Sequence, residues 1–316
     1  MAFVRVAGNS EPEGAEAFWF EGRGGAKIRA MTAPARGQVV RGSVILCPGR
    51  TEFIEKYFEV IVELQQRGFA VFALDWRGQG LSDRPLGNPM KGHIDTFDDA
   101  VNDLAQGLKQ AGDKLPRPHL LLAHSMGGAI SLRALQTRRL EVEGALFTSP
   151  MWRIASLKKG GRDFARFFTA IGAGAMLAPG QPGKWRKESF RGNPVTNDRE
   201  RHARAQALVL QESRLALAGV TLGWLNAASE AMEGFVQAGA LAHLRCPVVI
   251  LSAGDDSLVD NESHDLIAKA LPNARRVIMN GAKHEIMMEK DEIREGFWRA
   301  FDNLAEMVAP ARVAAS

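Results

Sequence analysis

Apolar residues in this chain fall into short unbroken runs, separated by segments in which they return at helical spacing. The runs Ala70-Val71-Phe72-Ala73-Leu74, Leu120-Leu121-Leu122-Ala123 and Pro247-Val248-Val249-Ile250-Leu251 have strand length and carry no charge. Such runs predict strands buried on both faces of a sheet. Between them, Ile54, Phe58, Ile61, Val62 and Leu64 predict a helix over 53–67. Thr96, with Asp99 three positions on, reads as an N-cap that opens a helix to about residue 111. Further strands are predicted at 39–47, 145–149 and 276–279, and further helices at 127–138, 261–271 and 291–308, with a frayed tail over 309–316. Loose alternation over 16–22 and 27–33, around Gly24-Gly25, predicts an antiparallel hairpin. Strands alternating with helices at this spacing define an α/β chain with a mostly parallel, doubly wound sheet.

That rhythm stops at residue 151. From there to 238 the pattern is helical, with helices expected at 205–217 and 223–232. Phe164, Phe167, Phe168, Ile171, Met176 and Leu177 form one apolar stretch broken by Gly172 and Gly174. The expected organisation is an α/β core over 1–150, an inserted helical cap over 151–238, and the core resumed over 239–316.

Composition narrows the classes. The chain has 316 residues, 46% hydrophobic and 24% charged, with a formal net charge of +4, as in ordinary globular proteins. Basic residues cluster at Lys158-Lys159-Gly160-Gly161-Arg162 and Lys184-Trp185-Arg186-Lys187, which suits a solvated surface or contact with anionic lipid head groups. No zinc finger, ribonucleoprotein motif or basic zipper is present, so nucleic acid is not an expected partner. The two cysteines, Cys47 and Cys246, flank apolar runs and are expected to be buried free thiols; a disulfide framework is excluded by number. No signal peptide is evident, and no apolar run reaches the ~18 residues needed to span a bilayer. The expected location is cytoplasmic.

Chemistry enters at Ala123-His124-Ser125-Met126-Gly127-Gly128, where a buried strand meets a small-residue helix. A sharp strand-to-helix turn lifts a serine hydroxyl above the sheet and crowds the positions two before and two after it, so both must be small. Ala123 and Gly127 meet that demand. No G-x-G-x-x-G follows the first parallel strand and no Walker sequence appears, which counts against a nucleotide-binding fold. A serine elbow works with an acid and a histidine that follow it in that order, each after a strand. Of seven histidines (His93, His119, His124, His202, His243, His264 and His284), His284 alone lies in a loop just past the last strand. For the acid, Asp255 and Asp256 both follow the strand at 247–251; Asp256 is the choice, Asp255 the rival, and Asp260 reads as a helix N-cap. The oxyanion hole is expected from the amides of Met126, the residue after the serine, and Arg50, in the loop Pro48-Gly49-Arg50 after an earlier strand.

These segments, with Asp75-Trp76-Arg77-Gly78-Gln79-Gly80-Leu81-Ser82, Gly92-His93-Ile94 and Gly281-Ala282-Lys283-His284, resemble the α/β-hydrolase superfamily, in its monoacylglycerol lipase and bacterial lysophospholipase branch. The resemblance spans nearly the whole chain and Gly223-Trp224-Leu225 in the cap shares it. It implies a serine esterase with Ser125, Asp256 and His284 as triad, Arg50 and Met126 as oxyanion amides, no metal or organic cofactor, and a lipid ester as substrate. Members often carry His-Gly where this chain has Pro48-Gly49, and a small residue where it has Arg50. Backbone donation survives both changes, while the Arg50 side chain is free to meet a phosphate or carboxylate, to face solvent, or to pair. The cap is expected to roof an acyl pocket, and its stretch at 164–178 either packs on the core or admits a chain and touches a membrane surface. Short-chain esterase, thioesterase, peptidase and acyltransferase activities share this machinery, as does a non-catalytic binding scaffold; oligomeric state stays open.

Overall fold

The computed structural model describes residues 3–37 and 39–311. Eight strands form one sheet: β1 (Glu16–Glu21), β2 (Lys27–Ala33), β3 (Gly42–Cys47), β4 (Phe69–Leu74), β5 (His119–His124), β6 (Gly144–Thr148), β7 (Val248–Ala253) and β8 (Ala274–Met279), in the order β1-β2-β4-β3-β5-β6-β7-β8. The hairpin β1–β2 and the pair β2–β4 are antiparallel, and every other neighbouring pair is parallel. The strand order reverses between β3 and β5. Loops leaving two adjacent strand ends in opposite directions open a crevice there, and it is where the serine and the 48–50 loop sit.

Alternation within the strands builds two apolar layers. Val44 and Leu46 of β3, with Leu120 and Leu122 of β5, face α1 (Phe58–Gln66) and α8 (Asp291–Val308). Ile45, Cys47, Leu121 and Ala123 face the other way, toward α2 (Phe97–Ala111) and α3 (Ser125–Gln136). α7 (Glu262–Ala270) adds Ile267 to that second layer. Thr96 caps α2 through its hydroxyl, which accepts from the Asp98 amide at 2.8 Å.

Between β6 and β7 the chain forms α4 (Lys159–Ala170), α5 (Arg199–Gln211) and α6 (Leu222–Phe235), with α6 packed on both α3 and α4. Several predicted bounds shift. The helix expected over 53–67 begins as a 3₁₀ turn, Ile54–Tyr57, before α1. The strand expected from residue 39 pairs only from Gly42, since Val39 and Val40 are exposed. The helix expected over 205–217 begins at Arg199, because Asp198 accepts from the Arg201 amide and caps it there. The frayed tail is corrected at its start: Ala309 is buried, and its carbonyl accepts from Arg41 Nε at 2.8 Å. Residues 312–316 of that tail lie outside the described residues. Among the described residues, no helix is long and apolar enough to cross a membrane.

Candidate active site

Strand β5 ends at His124 and α3 begins at the next residue, so Ser125 must turn the chain by itself. It does so at φ +49°, in the left-handed region that side-chain-bearing residues rarely enter. Tight surroundings hold such a conformation in place. A Cβ on Gly127 would lie 2.3 Å from the Cys47 carbonyl oxygen and 2.4 Å from that of Pro48, so α3 rests directly on the backbone leaving β3. Glycine is required there by contact, not by dihedral.

The turn presents Ser125 Oγ to His284. Oγ donates to His284 Nε2 at 2.8 Å, and His284 Nδ1 donates to Asp256 Oδ2 at 2.7 Å. The three groups come from the loops after β5, β7 and β8. Asp256 Oδ1 accepts from the amides of Leu258 and Val259 at 2.8 and 3.1 Å. Burial opposes ionisation of Asp256, but the His284 bond and these two amides outweigh it and hold the carboxyl below its usual range. Asp255 is exposed and makes no bond to His284, its amide donating to the Ala282 carbonyl. Asp260 accepts from the Glu262 amide, while the N-cap position itself falls on Asn261, one residue later than expected.

Two backbone amides near the serine are left unbonded. Met126 N–H, in the first turn of α3, and Arg50 N–H, beyond β3, find no acceptor among the described residues. The neighbouring Gly49 N–H is taken by Glu52 Oε2. Gln79 fixes this loop, donating from Nε2 to the carbonyls of Gly49 (2.7 Å) and Glu52 (3.0 Å). Trp76 Nε1 adds a bond to the Pro48 carbonyl at 2.8 Å.

The other histidines have structural partners. His264 bridges Ser252 Oγ and the Pro150 carbonyl, both at 2.8 Å. His93 meets Thr221 Oγ1 at 2.7 Å, and His119 meets Ser43 Oγ at 2.7 Å. His243 reaches the Leu135 carbonyl, and His202 packs on Phe190.

Sequence reasoning passed over a buried ionic cluster beside the triad. Lys56 Nζ lies 2.7 Å from Glu52 Oε1 and 2.6 Å from Glu285 Oε1, and Tyr57 Oη donates to Glu52 Oε2 at 2.6 Å. Burial alone would raise the Glu52 carboxyl; Lys56, with help from His124 and Tyr57, brings it down to about 2. The His124 ring stands 4.9 Å from that of His284. Burial pushes the pKa of His124 down to about 4, so it is neutral at pH 7 and does not repel an imidazolium at His284. The Glu52–Lys56 spacing of four was visible in the chain, whereas Glu285 joins only through the fold.

Ser125 and His284 open onto a cavity of about 810 Å³. Much of its wall comes from the segment between β6 and β7: Ile154, Leu157, Phe164, Val220, Leu222 and Trp224. Arg50 also lines it. Its guanidinium is partly buried and not paired with a carboxylate: Nη2 donates to the Ala218 carbonyl, Nε is buried, and Trp224 lies 5.8 Å away.

A mostly parallel eight-stranded sheet, with a serine elbow at its switch point and a histidine and carboxylate on later strand ends, defines an α/β hydrolase. Residues 38–291 match the serine aminopeptidase S33 family, and the chain belongs to it. It is 33% identical over 264 residues to lysophospholipase L2 of Escherichia coli strain K12, covering 79% of this chain and 76% of that protein. Identity to the probable lysophospholipase L2 of Haemophilus influenzae is 29% over 268 residues, covering 84% and 83%. Among solved structures, a soluble variant of monoglyceride lipase from Saccharomyces cerevisiae superimposes with a TM-score of 0.72 at 18% identity, over 93% of this chain and 96% of that one.

Proposed function

We propose that this protein hydrolyses the carboxylic ester of monoacyl lipids through an acyl-enzyme at Ser125. The observation that carries the reading is the continuous relay from Ser125 Oγ through His284 to Asp256 at the floor of an apolar cavity. Ser125 Oγ attacks the acyl carbonyl as its proton passes to His284 Nε2, and Asp256 holds the ring and stabilises the imidazolium. The amides of Arg50 and Met126 receive the oxyanion. His284 then protonates the departing alcohol oxygen, and water, activated by the same ring, releases the fatty acid and frees Ser125. The names of the Escherichia coli and Haemophilus influenzae relatives support a lysophospholipid or a related monoacyl ester as the substrate class.

The cap, residues 151–238, roofs the acyl chain in this reading and meets the lipid surface. Phe164 lines the cavity while 42% exposed, and Phe167 and Ile171 beside it are 59% and 61% exposed. Lys158, Lys159, Arg162 and Arg166 belong to the same segment, the two arginines bridged to Glu233, and its basic content suits an anionic bilayer.

Hydrolysis of p-nitrophenyl esters of increasing chain length, monoacylglycerol and lysophosphatidylcholine, each compared with Ser125→Ala, tests the assignment. Preference for long acyl chains, lost in the variant, is expected. Turnover of short esters alone would refute the lipid substrate, and no serine-dependent turnover would refute the esterase.

A further inference from the structure

Other buried cations in this protein sit against carboxylates. Arg29 lies between Glu55 and Asp75, Lys56 between Glu52 and Glu285, and Arg294 against Glu59 and Glu63. Arg50 differs. Its Nη2 donates to one carbonyl, that of Ala218, and its Nε is buried with no acceptor. Among the described residues no carboxylate lies within ion-pair range of it, and burial, unopposed by an anion, brings its pKa down to about 10. It is still charged at neutral pH. Arg84, the nearest parallel, gives its donors to four carbonyls, those of Gly78, Gly80, Pro89 and Arg214, and does not line the catalytic cavity.

A guanidinium presents five donors in a planar fork matched to two oxygens of a phosphate or carboxylate. Burying part of it without an anion is costly, and this one lies at the wall of the catalytic cavity with its Nε buried and unpaired. The fold also makes room for it: a Cβ at Gly92 would stand 3.2 Å from Nη2. The position relative to the chemistry is set by the residue itself, because its backbone amide is the one assigned to the oxyanion. In a 1-acyl lysophospholipid the phosphorus stands as many bonds from the ester oxygen as Cζ of an arginine stands from its Cα. A substrate with its carbonyl oxygen at the Arg50 amide therefore carries its phosphate on a tether comparable in length to the Arg50 side chain, long enough for the two groups to meet.

We propose that the Arg50 guanidinium binds the phosphate of a lysophospholipid head group, so that phosphate-bearing monoacyl lipids are preferred over neutral monoacylglycerols. The assignment rests on the esterase reading above and adds the group that selects the alcohol. A neutral monoacylglycerol leaves the guanidinium without its anion; a lysophospholipid supplies one.

Two measurements test this. In the first, lauroyl-lysophosphatidylethanolamine and monolauroylglycerol are compared, both below micelle-forming concentrations, with the parent, Arg50→Lys and Arg50→Gln, after thermal unfolding has shown the variants folded. Loss of hydrogen bonds to a charged group predicts a fall of about 10- to 100-fold in kcat/KM for the phospholipid in Arg50→Gln, mostly through KM. Arg50→Lys falls less, and in both variants the ratio of kcat/KM for the phospholipid to that for monolauroylglycerol drops, since any disturbance of the Arg50 amide lowers the two substrates alike. Equal falls on both substrates would make Arg50 a clamp between its loop and the cap and overturn the proposal, as would no change on either. In the second, sn-glycerol 3-phosphate and inorganic phosphate are titrated calorimetrically into Ser125→Ala, with and without Arg50→Gln. Binding of glycerol 3-phosphate that vanishes with Arg50→Gln supports the site even if the parent turns over no ester, in which case the esterase reading alone fails. Inorganic phosphate binding as tightly as glycerol 3-phosphate would overturn the head-group assignment, and binding of neither would overturn the site.

Discussion

Replacing Gly127 by alanine adds one methyl group to the helix that carries Ser125. That methyl carbon would come within 2.3 Å of the Cys47 carbonyl oxygen, about 1.1 Å inside the 3.4 Å at which ordinary contact begins. A second clash, at 2.4 Å, falls on the Pro48 carbonyl oxygen. Both neighbours are backbone, so no rotamer change relieves them, and either α3 or the exit of β3 must move by about an ångström. The two amides proposed to receive the oxyanion sit on the two sides of this contact, Met126 on α3 and Arg50 on the loop. Moving one against the other removes one donor from its place, which costs about 3–4 kcal/mol in the barrier and lowers kcat by 10²–10³-fold. Overpacking costs about 1–3 kcal/mol in stability, a fall of a few degrees in Tm. Steady-state hydrolysis of a p-nitrophenyl ester, with thermal unfolding in parallel, measures both. Gly87→Ala is the control, since nothing lies within 4 Å of a Cβ there. If Gly127→Ala keeps the parent's kcat and Tm, α3 is not seated on the β3 exit and the proposed oxyanion geometry is wrong.

Lys56→Met leaves Glu52 and Glu285 buried without their cation; a loss of about 3–5 kcal/mol in urea unfolding is expected, and an unchanged midpoint would contradict the cluster's role. His124 and His264 are each depressed by burial to about 4, so between pH 6.5 and 4 the unfolded chain binds the extra protons. Their contribution is complete above pH 6.5 and is lost as pH falls toward 4, by up to about 3 kcal/mol per histidine; unfolding free energies that stay flat from pH 7 to 4.5 would refute this. Asp256→Asn should lower kcat by about 10⁴-fold by stabilising the wrong His284 tautomer, while Asp255→Asn, exposed and outside the relay, leaves it near the parent level. Equal losses in the two would reopen the choice of acid.

Legibility from sequence followed the range of the forces involved. The elbow was readable because its crowding is local: Ala123 and Gly127 had to be small, and the chain says so within five positions. The parallel sheet was readable because doubly buried strands leave uninterrupted apolar runs. Helix α5 was misplaced because its first turn, Arg199-Glu200-Arg201, carries no apolar signal; Arg201 is instead held by carboxylates from elsewhere, Glu59 and Asp291. The choice between Asp255 and Asp256 depended on which carboxylate the amides of Leu258 and Val259 capture. Arg50 was the hardest. Nothing near it in the chain indicates that its guanidinium lies against Ala218 and Trp224, because both come from the segment between β6 and β7.

The central claim is that Ser125 is a nucleophile activated by His284. Incubation with a long-chain alkyl fluorophosphonate, followed by intact-mass measurement and peptide mapping, tests it most directly. One adduct per chain on Ser125, formed in the parent and not in His284→Ala over the same time, is the predicted result. An adduct on another residue, equal labelling of His284→Ala, or no adduct at all would contradict it.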